Sequence, residues 1–258
     1  MGMKVFTKQE GVVGLFFQIV ICSILVLCWS AVGLCGLTET IEIEVTGGEF
    51  NEYVGYETLY LDIPSELQPG ETYNWALPIG SGELYDGGLQ IVAQDNQDIT
   101  LAFIDELELT VMEDPTVTLG FAVTAGQYTT SFSFSSPVLS FPTITNPVAD
   151  AGGSVSLGED DIIVGAYSGK IFKTLYNADA AGAGGTTFAN IVADPPGWEV
   201  VGPQTISADV SSIHIKSQFI LGGGGIASGG SSFTVIPEPA TVCLLGLGGL
   251  LLRRKRNK

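Results

Sequence analysis

Imidazole groups are scarce in this sequence, which limits the catalytic chemistry it can support. His214 is the only histidine, and Ser-His-Asp catalysis needs an imidazole as its general base. It lies in the run SIHIK between Ile213 and Ile215, so alternation places its side chain on the opposite face of a strand. No G-x-S-x-G nucleophile motif is present. We therefore predict a solvated strand position for His214 and no catalytic role.

The four cysteines lie towards the two ends of the chain, at Cys22, Cys28, Cys35 and Cys243. The body between them therefore has neither a thiol for Cys-His catalysis nor the His and Cys ligands of a zinc site. It also has no internal disulfide, so its stability must come from an apolar core. No recognisable catalytic set remains, and the sequence predicts a protein that is not an enzyme.

Carboxylates are abundant, because the chain has 28 Asp and Glu residues. Three acidic turns, at 95–98 (DNQD), 112–115 (MEDP) and 158–161 (GEDD), concentrate the oxygen ligands that calcium prefers. None has the D-x-D-x-D-G spacing of a calcium loop, and Asp and Asn favour turns for conformational reasons. We predict no cofactor, with calcium as the alternative. A glycosidase would need two carboxylates across a cleft, and the sequence does not pair any two of them.

Glycine runs at 182–185 (GAGG) and 222–225 (GGGG) lack the Lys-Ser/Thr that completes a phosphate-binding loop, and we interpret both as loops. The second run opens a low-complexity segment, LGGGGIASGGSS (221–232), interpreted as a loop just before the run FTVIPEP. Two alternatives are open for it. Either 233–235 is the last strand of the body and the glycines connect it, or the glycines form a flexible tether.

Aromatic residues are concentrated in one stretch of the chain. Exposed Tyr and Trp could stack on sugar rings there, and a planar row of Tyr53, Tyr56 and Trp75 would indicate sugar binding. Packing at the core and its rim is the interpretation we favour, because Tyr and Trp are routinely part-buried in strands. The residues of this stretch are Phe50, Tyr53, Tyr56, Tyr60, Tyr73, Trp75 and Tyr85.

Alternation of apolar and polar residues is the main structural signal. In TIEIEVT (40–46), Ile41, Ile43 and Val45 share one face of a strand and the two glutamates share the other. Short runs of this kind, separated by Gly, Pro, Asn and Asp, predict an all-β fold, an antiparallel β-sandwich of the immunoglobulin-like or jelly-roll-like kind. Further runs are LYLDI (59–63), LELTVM (107–112), TVTLGFAV (116–123), TSFSFS (130–135), GSVSL (153–157) and SIHIK (212–216).

We predict a single β-sandwich domain at 37–233. A Pro- and Gly-rich segment at 140–153 is the place where two smaller sandwiches would otherwise divide. Between Thr38 and Ile236, three lysines face twenty-six acidic residues, a net charge of −23. Such a body repels nucleic acid and anionic lipid, so neither is expected as a partner.

The N-terminus has the pattern of a secretory signal peptide, predicted at 1–33 and helical. Lys4 and Lys8 precede an apolar run at 12–29, and Ala31 and Gly33 supply the small residues of a cleavage site. The apolar run approaches the length that spans a bilayer, so a retained anchor is the alternative. N-terminal sequencing of the exported form distinguishes the two.

The predicted C-terminal segment, 234–258, combines three features in order. Pro237-Glu238-Pro239 is followed by an apolar run at 240–252, which predicts a short membrane helix. The basic cluster Arg253, Arg254, Lys255 and Arg256 comes next and is expected to stop transfer, since basic flanks stay on the cytoplasmic side. Both ends of the chain then face the cytoplasm, and the lysine-poor body crosses.

This tail resembles the PEP-CTERM sorting signal of Gram-negative bacteria. The resemblance implies that an exosortase, a membrane-embedded sorting protease, is the partner that recognises the tail, and that it removes the membrane segment near Pro237-Glu238-Pro239. It also implies a precursor held transiently in the inner membrane, then delivery to the cell surface or extracellular matrix. By the same resemblance, Glu238 is expected to be the main recognition residue.

The function predicted from these observations is that of an exported structural or adhesive protein of the cell surface or extracellular matrix, with extracellular polysaccharide as a potential partner. A carbohydrate- or calcium-binding surface module is the alternative. A secreted hydrolase ranks third.

Overall fold

The computed structural model describes an all-β body. The described residues are 36–37, 40–48, 52–61, 71–77, 84–85, 88–112, 114–159, 161–179, 182–192 and 197–237. These ranges contain strands and turns and no helix. Within them, no helix is long and apolar enough to span a membrane. The predicted signal helix at 1–33 and the predicted membrane helix at 240–252 lie outside the described residues.

Seventeen strands are present in the described part of the chain. They are β1 (Gly36–Leu37), β2 (Thr40–Gly47), β3 (Tyr53–Tyr60), β4 (Thr72–Ala76), β5 (Leu84–Tyr85), β6 (Gly88–Val92), β7 (Thr100–Met112), β8 (Thr116–Ala125), β9 (Thr130–Ser135), β10 (Leu139–Thr145), β11 (Val148–Leu157), β12 (Ile163–Gly165), β13 (Phe172–Tyr176), β14 (Thr186–Ile191), β15 (Gly197–Thr205), β16 (Asp209–Leu221) and β17 (Ile226–Ile236).

The strands form two antiparallel sheets. Sheet A has the order β1-β10-β16-β9-β2-β3, with β12 and β13 also paired to β16 and β14 paired to β13. Sheet B has the order β15-β11-β17-β8-β7-β6-β5, with β4 also paired to β7. Two stacked antiparallel sheets confirm the predicted all-β, sandwich-like fold.

Period-two patterning determines which side chains face the interior. In β2, Ile41, Ile43 and Val45 are buried while Glu42 and Glu44 are exposed. The alternating apolar face of each such strand packs against the opposite sheet, because burial of that face is what stabilises a half-solvated strand.

A cluster of phenylalanines fills the space between the sheets. Phe121 projects from sheet B, and its ring centroid lies 5.4 Å from that of Phe134 and 5.0 Å from that of Phe219, both on sheet A. Phe132 stacks on Phe219 at 5.2 Å, and Phe172 lies 6.0 Å from Phe121. All five are buried, so the two sheets share one aromatic core.

The Pro- and Gly-rich segment at 140–153 forms part of β10, a turn and part of β11. Sheet A contains strands from before this segment (β2, β3, β9) and after it (β12, β13, β16), and sheet B likewise combines β4–β8 with β15 and β17. Both sheets therefore combine strands from before and after this segment.

The segment 221–232, interpreted from sequence as a loop, is mostly strand. Only 222–225 forms a turn, and β17 begins at Ile226 and lies between β11 and β8 in the middle of sheet B. Gly229 suits this position because an added Cβ would lie 2.6 Å from the Ser154 carbonyl oxygen and 2.8 Å from a Val155 methyl group. The prediction that 233–235 belongs to the last strand is confirmed, but most of the segment is part of that strand and not a connection to it, and the flexible tether is wrong.

Candidate functional site

His214 is buried, and the prediction of a solvated position was wrong. Its side chain does point away from Ile213 and Ile215, but it is only 1% exposed. The reason is the chain after β13, whose described residues at 177–179 and 182–185 we call the covering segment, because Gly182 lies against the ring on the outer face of sheet A. At Gly182 in that segment, an added Cβ would lie 2.5 Å from Cε1 of the imidazole.

Hydrogen bonds hold the first residues of this covering segment to β16. The Ser212 hydroxyl donates to the Ala178 carbonyl oxygen at 3.0 Å. The Asn177 side-chain amide donates to the Asp209 carbonyl oxygen at 2.7 Å. The Gly182 N–H donates to the Asp179 carbonyl oxygen at 2.9 Å, closing the turn over the ring. The imidazole is therefore packed between the outer face of sheet A and the covering segment.

The electrostatics of this environment keep His214 neutral. Burial, followed by the charge of Lys216, lowers the pKa of His214 to about 4, and a weak interaction with the Ser136 backbone acts in the opposite direction. Neither ring nitrogen has a hydrogen-bond partner with good geometry among the described residues. A neutral, covered imidazole is not placed to exchange protons with a bound substrate.

Two glycines of the covering segment provide a matched test of this packing. Gly182 and Gly184 both have positive φ, +69° and +74°, but an added Cβ at Gly184 meets nothing within 4 Å. Gly184→Ala should therefore cost only the left-handed backbone penalty, about 1 kcal/mol. Gly182→Ala should lower the free energy of unfolding by at least about 2 kcal/mol, because the methyl group also displaces the imidazole. If urea denaturation showed that both variants lose the same free energy of unfolding, the packing of Gly182 against His214 would be contradicted.

Two of the three acidic turns use side-chain oxygens to hold backbone N–H groups. Asn96 Oδ1 accepts a hydrogen bond from the Asp98 N–H at 3.1 Å. Asp161 Oδ2 accepts from the Ile226 N–H at 2.8 Å, which ties the turn after β11 to the start of β17. Among the residues that the structure describes, no three His, Cys, Asp or Glu side chains group as metal ligands.

The aromatic residues singled out in the sequence do not form a planar row. Tyr53 and Trp75 are half-buried against the core, on β3 of sheet A and β4 of sheet B. Tyr56 is exposed, and its hydroxyl donates to a Glu44 carboxylate oxygen at 3.4 Å. Phe50 and the side chain of Tyr85 lie outside the described part.

Trp198, which the sequence analysis did not single out, is the most exposed aromatic residue in the described part of sheet B. It lies on β15, an edge strand, and is 78% exposed; Val200 beside it is also exposed. Alternation alone would assign these two side chains to the core. Glu199 between them points inward instead, accepting from Lys170 Nζ at 2.6 Å and from the Val192 N–H at 2.7 Å. Hydrogen bonding to Lys170 lowers the pKa of Glu199.

Next to Trp198, the outer face of sheet B carries small, uncharged side chains over most of three strands, and we call this surface the hydroxyl floor. Asp150 of β11, which pairs with Thr234, borders it at one end. None of the side chains in the floor is larger than threonine. It consists of Gly152, Ser154 and Ser156 of β11, Ser228, Gly230, Ser232 and Thr234 of β17, and Thr116, Thr118, Gly120 and Ala122 of β8. The floor is therefore rich in hydrogen-bonding groups and free of bulky side chains.

Two carboxylates border the floor on the side opposite Trp198. Glu106 and Glu108 are exposed, lie two residues apart on β7, and so project from the same face. Slight burial and the neighbouring Glu106 raise the pKa of Glu108. A glycosidase holds its two carboxylates on opposite sides of a bound sugar, which this side-by-side pair on an open face does not do.

At its C-terminal end, β17 leads directly into the predicted tail. Val235 is buried, pairs with Ala149, and its N–H donates to the Pro115 carbonyl oxygen at 2.9 Å. The strand ends at Ile236, and Pro237 follows at once. The first three residues of the predicted tail, 234–236, are therefore part of a central strand.

The other predicted site residues lie outside the described part of the chain. They are the remainder of the sorting motif (Glu238 and Pro239), the basic cluster (Arg253, Arg254, Lys255 and Arg256) and the signal-cleavage residues (Ala31 and Gly33). Their roles remain predictions.

Comparison with known proteins identifies the tail and leaves the body unassigned. No curated protein matches the chain. The PEP-CTERM protein-sorting motif matches residues 235–256, which include Pro237-Glu238-Pro239 and the basic cluster. The motif implies export across the inner membrane, surface or extracellular placement in a Gram-negative bacterium, and processing by exosortase. The protein therefore carries a PEP-CTERM sorting motif, attached directly to the last strand of an all-β body.

Proposed function

We propose that the protein is a structural or adhesive component of the cell surface or extracellular matrix, acting without catalysis. The observation that carries this proposal is the sorting motif at 235–256, joined without a linker to a sandwich that has its own buried core. Such an arrangement suits delivery of a preformed, rigid domain to the outside of the cell. Its surface is then the functional part.

The chemistry of the described residues supports a role in binding. The imidazole is covered and neutral, and the Glu106/Glu108 pair projects from an open face rather than into a cleft. The high negative charge of the body favours neutral polymers over nucleic acid or acidic polymers. Carbohydrate binding is the second candidate function, favoured by the exposed Trp198 beside the hydroxyl floor.

Replacing Pro237-Glu238-Pro239 by three alanines is expected to block maturation. Two prolines fix φ and withhold N–H donors, which keeps the junction after β17 from extending a membrane helix outward. Without them, and without Glu238, the precursor should stay uncut and held in the membrane. Fractionation with mass spectrometry of the C-terminus measures this, since the wild-type surface form should lack Leu252 and Arg253.

Glu42→Ala is the matched control, because it removes one exposed carboxylate from β2 and should mature normally. Normal maturation of the triple-alanine variant, or a wild-type surface form that still ends in the basic cluster, would contradict the sorting role. Release of new reducing ends from neutral polysaccharide by the wild-type protein would favour the hydrolase instead.

A further inference from the structure

We propose that the outer face of sheet B binds a neutral polysaccharide chain, with Trp198 as the stacking residue and the hydroxyl floor as the bed on which the chain lies. This inference rests on the proposed surface function and names its partner.

Strand register aligns the parts of this face in one row. Ser154 pairs with Trp198 on one side and with Gly230 on the other, Gly230 pairs with Gly120, and Gly120 pairs with Glu108. Five adjacent strands therefore place an exposed indole at one end of the row and a carboxylate at the other. At about 4.8 Å between strands the row is roughly 19 Å long, enough for several sugar rings.

Crowding does not explain two glycines of the hydroxyl floor, Gly120 and Gly152, whereas an added Cβ at Gly230 would lie 3.3 Å from the Leu119 carbonyl oxygen. Glycine weakens the interior of a strand, and it otherwise marks a bulge, a bend or the close approach of a ligand. Gly120 lies in a regular part of β8, and an added Cβ would come no nearer than 3.7 Å to any atom. Gly152 is similar, with its nearest contact at 3.6 Å. Both positions have room for a side chain and lack one.

The inward-facing glycines of β11 and β17 have no room for a side chain. An added Cβ at Gly153 would lie 3.0 Å from the Phe172 ring, and Gly229 is blocked by backbone at 2.6 Å. Packing accounts for these two residues. At Gly120 and Gly152, glycine is explained by the need to keep the outer face flat.

The exposed indole of Trp198 is the second, independent feature. Trp198 and Val200, two residues apart on the same face of β15, are 78% and 59% exposed, and such adjacent apolar area in water is characteristic of binding surfaces. Indoles stack on the apolar faces of sugar rings, while serine and threonine hydroxyls and the Glu108 carboxylate can hydrogen-bond to sugar hydroxyls.

The charge of the body and the small extent of its exposed apolar surface limit the class of partner that this face can bind. Carboxylates border the floor at Asp150, Glu106 and Glu108, and the twenty-six acidic residues of the body likewise disfavour anionic polymers. The large exposed apolar side chains on the described outer face are Trp198 and Val200 on β15, Ile226 and Ile236 at opposite ends of β17, and Met112 at the end of β7. They are too scattered for the core of a stable protein–protein interface. A neutral polysaccharide fits a flat, hydroxyl-rich face with one aromatic border.

The test is affinity electrophoresis of the full chain, purified in detergent, through gels containing hydroxyethyl cellulose, dextran or galactomannan. Gels containing carboxymethyl cellulose provide an anionic comparison. At least one neutral polymer should retard the wild-type protein. Trp198→Ala and Gly120→Val should each weaken that retardation about tenfold or more, with unchanged melting temperature. Tyr60→Ala, which removes an equally exposed aromatic residue from β3 of sheet A, should bind like wild type.

No retardation by any neutral polymer, equal retardation of Trp198→Ala, or retardation by carboxymethyl cellulose alone would overturn the proposal. A dimer that disappears in Trp198→Ala would assign the face to self-association instead. If Gly120→Val fails to fold, Trp198→Ala decides. Both variants should still mature at the C-terminus, so failure here is distinguishable from failure of the sorting role.

Discussion

Phe219→Ala is expected to lower the free energy of unfolding by about 3–5 kcal/mol. Phe219 is fully buried, and its ring lies 5.0 Å from Phe121 and 5.2 Å from Phe132 between ring centroids. Truncation removes the apolar area that Phe219 buries and leaves a cavity between the sheets. The surrounding rings project from rigid strands, so they can close this cavity only in part.

Ile220→Ala is the matched control, because Ile220 is the next residue of β16 and is 40% exposed on the opposite face. It should cost less than about 1 kcal/mol. Urea denaturation of both variants measures the difference. Similar losses for the two would mean that Phe219 does not lie in a shared core between the sheets.

Acidification is expected to remove about 3 kcal/mol of stability through His214 alone. The folded protein lowers the pKa of this imidazole from 6.5 to about 4 because the ring is buried. The unfolded chain therefore takes up a proton more readily than the folded one. Stability is fully present above pH 6.5, falls as the pH drops towards 4, and is not lowered further by this group below that value.

His214→Phe should abolish this part of the pH dependence, because a similar ring remains and cannot be protonated. The Lys170–Glu199 ion pair also weakens in acid, but it is present in both proteins and cancels in the difference. Chemical denaturation at several pH values between 7 and 4 measures the difference in unfolding free energy between wild type and variant. Parallel curves for wild type and variant would show that His214 is open to solvent.

Much of the fold can be read from the chain. The run TSFSFS corresponds residue for residue to β9, and its two phenylalanines are buried as alternation requires. The sorting tail is likewise recognisable from sequence, since Pro237-Glu238-Pro239, an apolar run and basic residues occur in order. Both signals are local, and each depends only on residue types at short spacing.

The sequence by itself determined which side chains share a strand face, and tertiary structure alone decided which faces are covered. His214 is buried because residues distant from it, around Gly182, cross its face. Trp198 is exposed because Lys170 and Val192 hold Glu199 inward. The hydroxyl floor exists because β11, β17 and β8, far apart in sequence, lie side by side. Alternation carries no information about these neighbours, since burial depends on contacts between segments that only the folded chain brings together.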